Sequence, residues 1–174
     1  MNTTITSRPA ETEADYWAIY RLLIDTVPTL PLGLNWDMRR WEGRRFYDAR
    51  PTGDPNWHNG VQMWHTAVGA LAGVVIADAS GWIWPQVHPD YRHLETEMVA
   101  WAEANLAVVG KEGNGRSFHI PAFDYDTEQQ ALLAARAMAT PAVAESPVRK
   151  VPQIRSVATI RHVQSRSVAR LVNS

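Results

Sequence analysis

The stretch Trp82-Ile83-Trp84-Pro85-Gln86-Val87-His88, with the Pro89-Asp90-Tyr91-Arg92 that follows it, decides the fold. Its first seven residues read as a strand. Pro85 has no N–H to give to a neighbouring strand, so it belongs at a bulge or a sheet edge. A helix then starts near His93. Leu94, Met98, Trp101, Ala102, Asn105, Leu106 and Val109 lie on one of its faces, and Gly110 can end it.

Upstream, Val61–Ala67 and Leu71–Ala77 read as two strands of a hairpin, turned by Val68-Gly69-Ala70. Asp78 to Gly81 form a second turn. Further back, Tyr16, Ile19, Tyr20, Leu23 and Val27 recur at spacings of three and four, a helical stripe. Glu11, Glu13 and Asp15 suit that helix's N-terminus, where the macrodipole favours negative charge. Pro28, Pro31 and Gly33 break it. Asn35 can cap a second helix through Trp36, Arg40, Trp41, Arg44 and Tyr47, and residues 50–60 are loop by composition. Downstream, Ser117–Phe123 reads as a strand, and Asp126 or Thr127 can cap a helix through Leu132, Leu133 and Arg136. The order is helix, helix, hairpin, strand, helix, strand, helix. This predicts an α/β (α+β) fold, a mixed sheet covered by helices.

The segment Gln86-Val87-His88-Pro89-Asp90-Tyr91-Arg92 resembles the acyl-CoA-binding segment of the GNAT N-acetyltransferases. There a strand ending in Val-x-Pro-x-Tyr-Arg runs at once into an amphipathic helix. The element order agrees over roughly residues 11–139, and Trp36 to Tyr47 resembles the second helix, on the acceptor side of that fold. The resemblance implies a mixed, mostly antiparallel central sheet flanked by helices. It implies an N-acyltransferase that moves an acetyl group from acetyl-CoA, its co-substrate, to a primary amine of a small molecule or peptide. It also implies that Gln86, Val87 and His88 face the pantetheine arm, and that Arg92, His93 and Leu94 wrap the pyrophosphate. Physically, a helix N-terminus offers unpaired N–H groups and a positive dipole end to such an anion.

Three departures accompany the resemblance. The family's phosphate turn is glycine-rich, whereas Arg92-His93-Leu94-Glu95-Thr96-Glu97 contains no glycine. Glu95 and Glu97 put negative charge into the helix's first turn, which steadies the helix and opposes a bound dianion. The stretch Ala135–Ala139 lacks the tyrosine that many family members use as proton donor, and Tyr125 lies earlier in the chain. No catalytic residue is assigned. The alternative reading is a catalytically inactive GNAT-like domain serving as an interaction or structural module.

Composition bounds the rest. The chain has 174 residues and no cysteine, which excludes disulfides, thiolate zinc sites and a cysteine nucleophile. No apolar run approaches the ~18 residues of a membrane span. Residues 1–6 carry neither a basic start nor an apolar stretch, so a cytoplasmic location is expected. His88 and His93 stand five apart with no carboxylate–histidine motif, and no metal site is expected. The eight tryptophans are read as core packing and pocket lining. Residues 1–140 carry 11 basic and 17 acidic side chains, net −6, which suits a cationic acceptor and argues against nucleic acid.

Three segments are expected: a flexible N-terminus over 1–10, the GNAT-like body over 11–140, and a basic tail over 141–174. The tail carries six basic residues and one acidic residue. Its apolar residues Val148, Val151, Ile154, Val157, Ile160 and Val163 recur every third position, which matches neither strand nor helix. Edge strands and disorder both stay open there. An incomplete sheet with unpaired edges would favour pairing between chains, hence a homodimer.

Overall fold

In the computed structural model, the described residues are 4–29, 36, 38–47, 53–78, 81–109, 116–123, 125–138, 156–163 and 166–173. The proposed cap Asn35 and stop Gly110 lie outside them. The chain forms two compact units, Met1–Ala77 with Pro85–Leu94, and Asp78–Trp84 with Glu95–Ser174. Among the described residues, eight strands form two four-stranded sheets, ordered β1-β2-β3-β4 and β5-β6-β7-β8.

The first unit is built on strands β1 (Ile5–Pro9), β2 (Val61–Thr66) and β3 (Leu71–Ala77), with antiparallel β1/β2 and β2/β3 pairs. Residues 1–10, expected to be flexible, thus contribute a strand. Ile5 pairs with Thr66 and Pro9 with Gln62. The side chains of β1 are mostly exposed, so the strand lacks the alternation that would have revealed it. Between β2 and β3, Gly69 turns the chain at φ +82°, and its N–H reaches the Thr66 carbonyl at 2.8 Å.

Helix α1 (Glu13–Thr26) opens with a capping box. Thr12 accepts from the Asp15 N–H, and Asp15 accepts from the Thr12 N–H. Its buried face is Asp15, Tyr16, Ile19, Leu22, Leu23 and Thr26, and the helix packs against β3. Arg8 on β1 binds both carboxylate oxygens of Asp15, at 2.9 and 2.5 Å. That pair ties the edge strand to the helix start. Helix α2 (Met38–Phe46) is polar and buries only Trp41. Beside it, Arg44 donates to three main-chain carbonyls: Trp57 at 2.7 Å, Ala77 at 2.6 Å and Asn59 at 2.5 Å. One side chain thereby ties the turn at 57–59 to the end of β3.

Strand β4 (Ile83–Val87) lies at the edge of the first sheet, the kind of position that tolerates a proline such as Pro85. In the second unit Trp82, just before this strand, makes an isolated parallel bridge to His119 of β6 (Arg116–Ala122). Helix α3 spans Glu95–Leu106, and Val108–Val109 form the short strand β5. The helix therefore begins two residues later than expected and stops before Val109. Helix α4 (Thr127–Met138) is capped by Asp126, whose Oδ1 accepts the Gln129 N–H at 3.0 Å. Arg136 joins α4 to α3, with one bond to Glu103 at 2.9 Å and one to the Thr96 carbonyl at 3.1 Å. Phe118, Ile120 and Leu133 are wholly buried in this unit.

The basic tail is not wholly irregular. Strands β7 (Ser156–Val163) and β8 (Arg166–Asn173) extend the second sheet, with β7 antiparallel to β6 and β8 antiparallel to β7. Of the two possibilities left open for the tail, the described residues 156–163 and 166–173 take the strand one.

Candidate functional site

The six residues singled out in the sequence lie together in the first unit, on the end of β4 and the 3-10 segment Pro89–Leu94. The helical start expected at His93 is instead this tighter segment, interrupted at Tyr91 (φ −120°, ψ 22°), with α3 following from Glu95. Pro89 suits the first position of a helical turn, where its missing N–H has no partner to lose. The His88 N–H reaches the Ala72 carbonyl at 2.9 Å, and the Tyr91 N–H reaches the His88 carbonyl at 2.8 Å. The segment is thus anchored to β3 on one side and folded back on itself on the other.

The six side chains differ in what they can offer. Gln86 is buried. Its Nε2 donates to the Pro85 carbonyl at 2.8 Å, and its Oε1 has no hydrogen-bond partner. A buried acceptor without a donor costs about 1–3 kcal/mol, so Oε1 is a point where a ligand N–H would be welcome. Val87 is half-buried. His88 accepts the Asp90 N–H on Nδ1 at 3.3 Å, which puts the neutral ring's proton on Nε2. Its ring also stands against Tyr91, with centroids 5.9 Å apart, so this imidazole is held rather than loose. Arg92 is half-buried and carries a fixed positive charge, and His93 is exposed. Leu94 is 4% exposed, so its side chain belongs to the core and only its main chain could face a ligand.

Glu95, the next residue, is buried at the start of α3, while Glu97 is exposed. Among the described residues no three His, Asp or Glu side chains are grouped to hold a metal ion. No described helix is long and apolar enough to cross a membrane.

Comparison with known proteins bears on the fold. No protein-family model matches the sequence, and no curated protein matches it. Solved structures do. The acetyltransferase assignment yncA from Salmonella typhimurium, solved with its cofactor acetyl-CoA, aligns at TM-score 0.51 and 14% identity over 98% of this chain and 94% of its own. The chain shares the fold of that protein. A GNAT-family acetyltransferase from Listeria monocytogenes aligns over 99% of each chain (TM-score 0.48, 12% identity). An acetyltransferase assignment from Acinetobacter baylyi, ACIAD1637, covers 100% of this chain and 95% of its own (TM-score 0.45, 13% identity).

A second constellation escaped the sequence reading. Tyr16, Trp41 and Trp57 pack as mutually contacting rings in the first unit. Tyr16 stacks on Trp41 at 5.2 Å, and Trp57 stands edge-on to both, at 5.3 and 5.6 Å. The guanidinium of Arg45 lies over three rings, 4.6 Å from the Tyr16 centroid, 4.9 Å from Phe46 and 5.9 Å from Trp57. Its Nη2 pairs with Glu13, whose carboxyl this bond holds below the usual range. Its Nε and Nη1 are buried without an acceptor, as is the Tyr16 hydroxyl. Burial, helped by the nearby charge of Glu42, pushes the Tyr16 phenol up to about 12, so it stays protonated. A desolvated cation over aromatic faces gains up to about 2 kcal/mol, while each unmatched buried donor costs about 1–3 kcal/mol. For Arg45 these opposing effects are of similar size. The available signal was the set of tryptophans, which the sequence alone assigns only to packing and pocket lining.

Proposed function

We propose that the chain is an N-acetyltransferase that moves an acetyl group from acetyl-CoA to a primary amine of a small molecule or peptide. The observation that carries this reading is the orphaned Gln86 Oε1 on edge strand β4, in a fold shared with a protein solved with acetyl-CoA. Bound there, acetyl-CoA supplies an activated thioester. Gln86, Val87 and His88 run along the pantetheine arm, with the Gln86 amide oxygen accepting an amide N–H. The Arg92 guanidinium is always charged and matches phosphate oxygens geometrically. His93 lies exposed next to it, and Leu94 contributes its main chain. Acyl transfer to an amine needs a neutral nucleophile and a proton for the departing thiolate. Direct attack is served mainly by positioning, so no side chain is named as base. The acidic balance of residues 1–140 supports a cationic acceptor.

The test is release of free CoA thiol when acetyl-CoA is mixed with the protein and a panel of primary amines. Amine-dependent release is expected. Binding of acetyl-CoA without release for any amine would favour the inactive module, a reading supported by the glycine-free stretch 89–97.

A further inference from the structure

We propose that Tyr16, Phe46 and Trp57 form an aromatic box that recognises the alkylguanidinium or alkylammonium end of a small molecule, with Arg45 as a built-in occupant that the ligand displaces. The rings are arranged as a cation site requires, since all three present themselves within 6 Å of one positive charge. Glu13 stands at the rim, 58% exposed, and closes over the Arg45 side chain, which is 12% exposed. The resident cation fits the box incompletely. Its Nε and Nη1 protons find no acceptor there and would regain water outside. The Glu13 pair that holds it is exposed and therefore weak. Arg45 sits in the last turn of α2, so its side chain can swing outward without disturbing the helix interior. A quaternary ammonium has no N–H to leave unmatched and loses nothing on those counts. The neighbouring carboxylates Glu13 and Glu42 favour any cation that enters. As an anchor for one end of an amine acceptor, the box rests on the acetyl-transfer reading. As a cation site it stands on these residues alone.

The experiment titrates tetramethylammonium and ethylguanidinium chlorides into wild-type protein and Arg45→Ala, following tryptophan emission, with propionamide as the neutral control. If Arg45 fills the box about nine-tenths of the time, removing it lowers the apparent Kd at least about tenfold. The expected result is that tenfold gain for both cations, no response to propionamide, and loss of the gain when Trp57→Leu is added. Equal Kd values in wild type and Arg45→Ala, or an equal response to propionamide, overturn the proposal. Should Arg45→Ala fail to fold, wild-type protein carries the test by NMR. The ring-shifted Arg45 Nε–H resonance, identified with Arg45→Lys, should move saturably to its solvent position as ethylguanidinium is added. A resonance that stays in place overturns the proposal. Acetyl-CoA calorimetry on the same sample separates the two readings. A silent cofactor with a responsive box sinks the acetyl-transfer reading and supports the cation site, and the opposite pair of results does the reverse.

Discussion

Trp41 donates its indole N–H to the Tyr16 carbonyl at 3.1 Å while its ring stacks on the ring of that same residue at 5.2 Å. One side chain of α2 thus grips both the backbone and the side chain of α1. Trp41 is the one buried residue among those described in α2, so this contact is its apolar hold on the first unit, beside the polar bonds of Arg44 and Arg45. Trp41→Ala should destabilise the protein by about 3–5 kcal/mol in urea denaturation. Trp41→Phe keeps most of the packing and loses the hydrogen bond, so its loss should be about 1–2 kcal/mol. Equal losses for the two variants would mean that the stacked ring contributes nothing.

Asp15 should make stability acid-sensitive. Hydrogen bonds from Arg8, then from the Glu11 and Thr12 main chain, outweigh burial and hold its carboxyl well below the usual carboxylate range. A depressed folded pKa gives stability that is fully present above the unfolded value and is lost as pH falls through the folded one. Asp15→Asn should therefore cost about 2 kcal/mol at pH 6. The gap between the two proteins should narrow steadily once pH drops below the unfolded value of 3.8. Urea titrations between pH 6 and pH 2 measure both; a constant gap would refute the linkage.

The first strand predicts a truncation effect. Removing residues 1–9 deletes β1 and Arg8, unpairs one side of β2, and leaves Asp15 without its cation. The melting temperature should fall by about 5 °C or more. A truly frayed terminus would leave the melting curve unchanged, and that outcome would deny β1 its place.

Gln86 links stability to binding. Gln86→Leu removes the orphaned acceptor and keeps the volume roughly constant, so stability should stay level or rise by about 1 kcal/mol. Acetyl-CoA should bind about tenfold more weakly, the worth of one hydrogen bond of about 1.4 kcal/mol. Calorimetry with a thermal melt on the same sample gives both numbers. Weaker binding together with a loss of fold would point to packing instead.

The order of helices, hairpin, strand and helix was legible because local pattern and tertiary role coincide there. Val61–Thr66 and Leu71–Ala77 are buried over most of their lengths, so their apolar character shows in the sequence. β1 was hidden because Thr6, Ser7 and Arg8 face solvent and only the backbone pairs. The tail strands were hidden by a spacing of three, which matches no strand period. The start of α3 was misplaced by two residues because Pro89-Asp90-Tyr91 favours a tighter turn that the apolar stripe does not register. At the site, the grouping of 86–94 could be read from one contiguous motif. The box around Arg45 could not, because it unites residues 16, 45, 46 and 57 through tertiary packing alone.

The central claim is that β4 and the 3-10 segment after it hold a thioester carrier despite lacking glycine. Isothermal titration of acetyl-CoA into the full chain, with Arg92→Gln alongside, tests it most directly. The account predicts saturable one-to-one binding that weakens about tenfold in Arg92→Gln and weakens further with added salt. No heat at millimolar acetyl-CoA, or binding indifferent to Arg92, would contradict it.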